Sequence, residues 1–185
     1  RAFGEAREQE AARKVAEVRE LTGAQAPITG ERPIAWHMIG QIQRNKARSI
    51  ARWADVVHSV DDPRLVAALD RARGQALQES AVNGPLEVYV QVSLDGDARR
   101  GGVPDAHVDA LADAVAGCTA LHLAGVMAIP PLDVPAGRSY ADLAAIAARV
   151  RENHPAAAGL SAGMSGDLET AIAYGSTCVR VGTAL

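Results

Sequence analysis

The sequence predicts an α/β protein of the (β/α)8 TIM-barrel class, and three observations predict it. Short apolar runs alternate strictly with amphipathic runs, at about thirty residues per unit, which is the pattern of repeated βαβ units on a parallel sheet. Polar and small residues gather at the C-terminal ends of the apolar runs: His37 and Gly40, Asp61, Ser93, Ser165, Gly182 and Thr183. In a barrel, that end of the strands is the functional face. The ends richest in small residues belong to the last two strands. An open doubly wound sheet places its phosphate turn after the first strand, whereas barrels often place one after the seventh and eighth.

Each element follows from its local pattern. Arg1-Ala-Phe-Gly4 is the stub of a strand. From Glu5 to Leu21, Ala11, Val15 and Val18 recur at helical spacing among Glu, Arg and Lys, predicting a helix. A loop containing Gly and Pro, from Thr22 to Pro33, leads to a strand over 34–40. A helix over 44–53, a strand over 55–61 and a helix opened by Pro63 come next, the last with Leu65, Ala68, Leu69 and Ala72 as its apolar stripe. Asn83-Gly-Pro85 is a turn before a β-rich strand over 86–94. The polar loop 95–102 precedes a helix over 105–116 and a strand over 121–129 closed by Pro130-Pro131. A helix over 139–153 places Leu143, Ile146, Ala147 and Val150 on one face. A strand over 160–164, a helix over 167–174 stopped by Gly175, and a strand over 178–183 complete the order.

Composition narrows the function classes. A net charge of -3 with scattered basic residues, and only 3% aromatics, argue against a nucleic-acid partner. No apolar run reaches membrane-spanning length, so no membrane partner is expected. Cys118 and Cys178 lie far apart in apolar runs and are expected to be buried free thiols, consistent with a cytoplasmic setting. His58, His107, His122 and His154 show no metal-ligand spacing, and no metal is expected. Asp95-Gly-Asp97 lacks the following acidic positions of a calcium loop and is a polar loop. Lys14 and Lys46 are the two lysines, which restricts chemistry needing an amine.

The closing segments carry the strongest chemical signal. Side chains alternate along a strand, so Val179 and Val181 share one face while Cys178, Arg180 and Gly182 share the other. The valines suit the surrounding helices, which turns Arg180 into the barrel. A buried guanidinium is costly without an acceptor, so Arg180 points either to a ligand or to an inward acid. Ser165, read as a helix N-cap, with Gly182 and Thr183, offers hydroxyls and bare backbone N–H groups that suit a phosphate; each is also ordinary at a strand end. Gly163 and Met164 belong to the same wall. His37 lies either toward the ligand or in the core. Asn45 and Lys46 fit an exposed first helical turn.

Trp36-His-Met-Ile-Gly-Gln-Ile-Gln-Arg-Asn-Lys46, His58-Ser-Val-Asp61, Tyr89-Val-Gln-Val-Ser93, Gly163-Met-Ser-Gly-Asp167 and Val179-Arg-Val-Gly-Thr-Ala184 together resemble the pyridoxal phosphate homeostasis protein family, single-domain relatives of the alanine racemase N-terminal barrel. The resemblance runs from Phe3 to Leu185, and the Arg- and Ala-rich Gly4-Glu-Ala-Arg-Glu-Gln-Glu10 version is similar to actinobacterial members. It implies one barrel domain over 1–185 that binds pyridoxal 5′-phosphate (PLP) without turnover, for storage and delivery to PLP-dependent apoenzymes, as a monomer. It implies that Arg180 meets the pyridine nitrogen, that Ser165, Gly182 and Thr183 hold the phosphate, and that Met164, Gly163 and His37 line the site. Its Schiff-base lysine motif, its first strand and its final helix have no counterpart here, and the chain is expected to be a trimmed stretch of a longer one. Ala6 stands where many members carry an Asn that contacts the cofactor. An amino-acid racemase, or a phosphate-binding barrel enzyme that uses no PLP, are the alternative readings.

Overall fold

The computed structural model describes residues 2–22 and 34–182. Its strands are β1 (Ala2–Glu5), β2 (Ala35–Met38), β3 (Val56–Val60), β4 (Leu86–Ser93), β5 (Val103–Pro104), β6 (Leu121–Met127), β7 (Gly159–Met164) and β8 (Cys178–Arg180). The helices between them are α1 (Glu8–Thr22), α2 (Ala47–Trp53), α3 (Pro63–Gln78), α4 (Val108–Ala116), α5 (Ala136–Asn153) and α6 (Leu168–Ala173). Every ladder is parallel, and the hydrogen-bonded path runs β1-β2-β3-β4-β6-β7-β8, with β5 a short addition on β4. The sheet curls into a nearly closed barrel inside a shell of helices, the class the sequence predicts. The expected stub is a real strand: Phe3 pairs with Trp36 and Gly4 with His37 across the β1–β2 ladder.

All five residues of β3 are buried, as befits a parallel strand covered on both faces. The helices supply the outer cover. Ala11 and Val15 of α1, Leu65, Val66 and Leu69 of α3, and Leu143, Ile146 and Val150 of α5 all join the core through one face. Pro63 sits at the first turn of α3, whose N-cap is Asp62, accepting from the Arg64 N–H at 2.7 Å. Arg73 lies on the buried face of the same helix and is nearly unexposed. Its guanidinium donates to the carbonyls of Gly84, Ala51 and Ala54 at 3.0, 2.8 and 3.0 Å.

Several boundaries move for local reasons. The helix expected from Glu5 starts at Glu8, because Glu5 extends β1. The helices expected from Arg44 and Asp105 each begin as a 3-10 turn, Arg44–Lys46 and Asp105–His107, and no side chain caps either start. α5 begins at Ala136, ahead of the expected Ser139, after a start that carries no capping side chain to mark it. Asp167 is the N-cap residue of α6, so Ser165 is not the N-cap expected; it lies in the turn before it. The Asp167 carboxylate makes no cap bond to the helix; it accepts instead from the Met164 N–H at 2.7 Å and from the Tyr140 hydroxyl at 2.6 Å. Both cysteines are free, as expected, but half-buried rather than buried.

Candidate functional site

At the C-terminal ends of the strands, the two ends of the sheet path face each other across a cleft of about 550 Å³, within the range of small-molecule sites. β1 and the residues after it contribute Gly4 and Ala6. His37 and His58 contribute from β2 and β3, and Cys178, Arg180 and Gly182 from β8 and the residues following it. Met164, Ser165 and Gly166 form the rim between β7 and α6. Met164 and Ile129, both lining the cleft, expose more than a third of their surface, so the mouth is apolar.

The middle of the barrel carries a continuous polar chain across four strands. Nδ1 of His37 lies 2.9 Å from Nε2 of His58, the two rings sharing one proton. Nδ1 of His58 lies 2.9 Å from the Ser161 hydroxyl. Nη1 of Arg180 donates to that hydroxyl at 2.7 Å and to the Ser161 carbonyl at 3.1 Å, and Nη2 donates to the Ala128 carbonyl at 3.1 Å. The hydrogen-bonded His37 and His58 rings lie edge to edge, centroids 5.1 Å apart, and the Tyr89 ring stacks on His58 with centroids 4.7 Å apart. Arg180 therefore points into the barrel, as strand alternation requires, and its partners are carbonyls and a hydroxyl rather than an inward acid. A guanidinium has five N–H donors. Among the described residues, its Nε–H and one Nη2–H have no acceptor, while the group lines the cleft.

Burial sets the electrostatics. His58 is fully enclosed, and desolvation, with His37 and Arg180 adding repulsion, pushes its pKa down to about 3. His37 moves the same way through desolvation, opposed by the Asp55 carboxylate. Desolvation raises the Tyr89 phenol to about 12, with further repulsion from Cys178 and Glu87. It also raises the Cys178 thiol, partly offset by Ser161 and Arg180, and lowers the Arg180 guanidinium. The floor at neutral pH is thus one fixed cation braced by neutral groups, suited to an acceptor atom or an anion.

The expected residues divide. Arg180, Ser165, Met164, Gly182 and His37 all line the cleft. Thr183 lies outside the described residues. Gly163 does not line the cleft: its φ is +95°, and an added Cβ would meet the Ala171 Cβ at 2.6 Å. Close packing of β7 on α6 at this point is a structural demand that glycine meets. Lys46 pairs with Glu8 at 3.5 Å and Lys14 with Glu5, and neither lysine lines the cleft. Spacing along the chain misses His58, Ser161, Tyr89 and Cys178, since His58 and Ser161 are 103 residues apart in sequence. The available signal was a polar residue embedded in an apolar strand, which needs a partner when buried.

The alanine racemase N-terminal domain model matches residues 1–185. The pyridoxal phosphate homeostasis protein of Mycobacterium tuberculosis is 53% identical over 189 residues, covering all of this chain and 72% of that protein. The protein of the same name from Escherichia coli is 36% identical over 188 residues, covering all of this chain and 74% of its own length. PipY of Synechococcus elongatus, solved with PLP bound, superposes with a TM-score of 0.80 at 33% identity, over 98% of this chain and 79% of that one.

Proposed function

The chain belongs to the alanine racemase N-terminal domain family, and from that we propose that it binds pyridoxal 5′-phosphate in the cleft and serves the homeostasis of that cofactor. The observation that carries the reading is Arg180, a half-buried cation with two N–H donors uncommitted among the described residues, at the floor of a cleft of cofactor size. The bound cofactor supplies a reactive aldehyde, a phosphate and a pyridine ring.

The residues of this chain hold and orient. Arg180 would offer a free N–H to the pyridine nitrogen, and Ser161 and the Ala128 carbonyl fix the guanidinium for that role. An always-protonated partner at that nitrogen keeps the ring a weak electron sink, which favours holding over turnover. Ser165 and Gly166 on one rim and Gly182 on the other, with Thr183 from the sequence, would hold the phosphate. Met164 and Ile129, at the mouth, would cover the ring from water. His37 and His58 form the floor.

The floor also argues for a carrier rather than an enzyme. General acid–base catalysis needs groups that exchange protons near neutrality. His58 at about 3 and Tyr89 at about 12 are both far from it. The role that follows is storage of the cofactor and its transfer to PLP-dependent apoenzymes, by a monomer. No helix among the described residues is long and apolar enough to cross a membrane.

Titration of the protein with PLP, followed by absorbance, tests the reading. Saturable 1:1 binding is expected, weakened about tenfold or more in Arg180→Ala, which forfeits a hydrogen bond to a charged group. No saturable binding would overturn the cofactor reading. Interconversion of L- and D-alanine by the loaded protein would overturn the non-catalytic one.

A further inference from the structure

We propose that His37, His58 and Cys178 form a binding site for a zinc-class divalent metal ion at the barrel floor. The three residues come from β2, β3 and β8, and their ligand atoms all lie within 4.8 Å of one another. No other group of three such side chains meets that condition among the described residues. Two imidazole nitrogens and one thiol sulfur are a donor set that selects zinc, cobalt or copper over the hard, oxygen-seeking cations.

The donor atoms are within reach of one ion, though not preset for it. Tetrahedral zinc with N and S ligands at about 2.0–2.3 Å separates its donor atoms by roughly 3.4–3.6 Å. The His37 and His58 nitrogens stand 2.9 Å apart and the widest spacing in the group is at most 4.8 Å, so with His58 held by Ser161 the adjustment falls on His37 and Cys178, which turn to open the first distance and close the others. The partner of His58 fits as well. Its Nδ1 faces the Ser161 hydroxyl at 2.9 Å, which fixes the ring and leaves Nε2 for the metal, the orientation that supporting hydrogen bonds give to histidine ligands. His37 and Cys178 line the cleft, so an ion has an entry path, and the fourth position stays open to water or an anion.

The chemistry balances. The proton shared between the two rings moves to the distal nitrogen of its own imidazole, so both facing lone pairs become ligands with no net loss. The thiol gives up one proton to solvent as its sulfur bonds the metal. The thiolate offsets part of the positive charge beside Arg180, whose Nη groups are already turned onto Ser161 and Ala128.

The site does not depend on the cofactor reading, and the experiment uses cofactor-free protein so that its failure leaves that reading intact. Titration with cobalt(II) should saturate at one ion per chain, with the near-ultraviolet band of thiolate-to-cobalt charge transfer and visible bands of four-coordination. Zinc should displace it. Cys178→Ser should abolish the charge-transfer band and weaken binding about tenfold or more, at least what the loss of an outer-shell partner costs. X-ray absorption of zinc on the unaltered protein should give one sulfur neighbour and nitrogen or oxygen for the rest, a result independent of how any variant folds. Absence of saturation, a shell without sulfur, or a spectrum unchanged in Cys178→Ser would each overturn the site.

Discussion

Arg180 and Ser161 are joined twice: Nη1 of the arginine donates to both the carbonyl and the hydroxyl oxygen of the serine, at 3.1 and 2.7 Å. The same hydroxyl meets His58 at 2.9 Å. Ser161 is therefore the joint at which β8, β7 and β3 share one polar network inside an otherwise apolar barrel. Removing the hydroxyl leaves a buried imidazole nitrogen without a partner and frees the guanidinium to turn.

Ser161→Ala should accordingly lower stability by about 1–3 kcal/mol, the usual cost of stranding a buried polar group. Thermal denaturation should show a fall of roughly 3–10 °C for a chain of this size. PLP affinity should fall with it, because Arg180 loses the contact that aims it. A melting point lowered with affinity unchanged would show that Arg180 is held by the carbonyls alone.

The histidine pair makes the fold sensitive to acid. In the unfolded chain His58 titrates near 6.5, whereas in the barrel its pKa is about 3. The unfolded state thus binds more protons between these values, and stability falls as pH falls through that window. The contribution is fully present above the unfolded value and declines toward about pH 3, by up to about 1.4 kcal/mol per pH unit. His37, also lowered, acts in the same direction. Denaturant unfolding between about pH 4 and 6 should show this slope, and His58→Gln should flatten it by up to one proton. An identical slope in the variant would assign the acid sensitivity to other groups.

How far this site was legible in the sequence depends on the range of the interactions that build it. Arg180 could be turned inward from Val179 and Val181 alone, because alternation is a property of a single strand. The strand ends that line the cleft were likewise readable from where the apolar runs stop. Ser165 reads as a cap from its residue type alone, whereas Asp167 takes that position and meets Tyr140, 27 residues away on α5, a contact no local pattern shows. His58 and Ser161 carried no local signal for each other. Their contact exists only once the sheet has curled, and so does the approach of Cys178 to both histidines.

Gly163 tests the distinction between packing and ligand contact. Gly163→Ala would force a β-carbon to within 2.6 Å of the Ala171 Cβ and hold alanine at φ +95°. Overpacking of about 1–3 kcal/mol and backbone strain of similar size add together. A strongly lowered melting point is expected, with PLP affinity close to the original in whatever fraction remains folded. An unchanged melting point with weakened binding would return Gly163 to the cleft wall.

Arg73 provides the complementary case, a buried cation away from the cleft. It ties the α3 helix to the carbonyls of Ala51 and Ala54 around the end of α2 and to Gly84 before β4. Like Arg180 it is desolvated, which lowers its pKa. Unlike Arg180, it donates from Nε as well as Nη1, to three backbone carbonyls, and is only 2% exposed. Arg73→Met preserves the apolar stem and strands all three acceptors, at a cost of about 3–5 kcal/mol if each carbonyl finds no water. Arg180→Met, facing a hydrated cleft, should cost much less stability and far more affinity. Denaturant titration of the two variants beside their PLP binding curves separates the roles, since a ligand-seeking arginine and a scaffold arginine must fail in opposite assays.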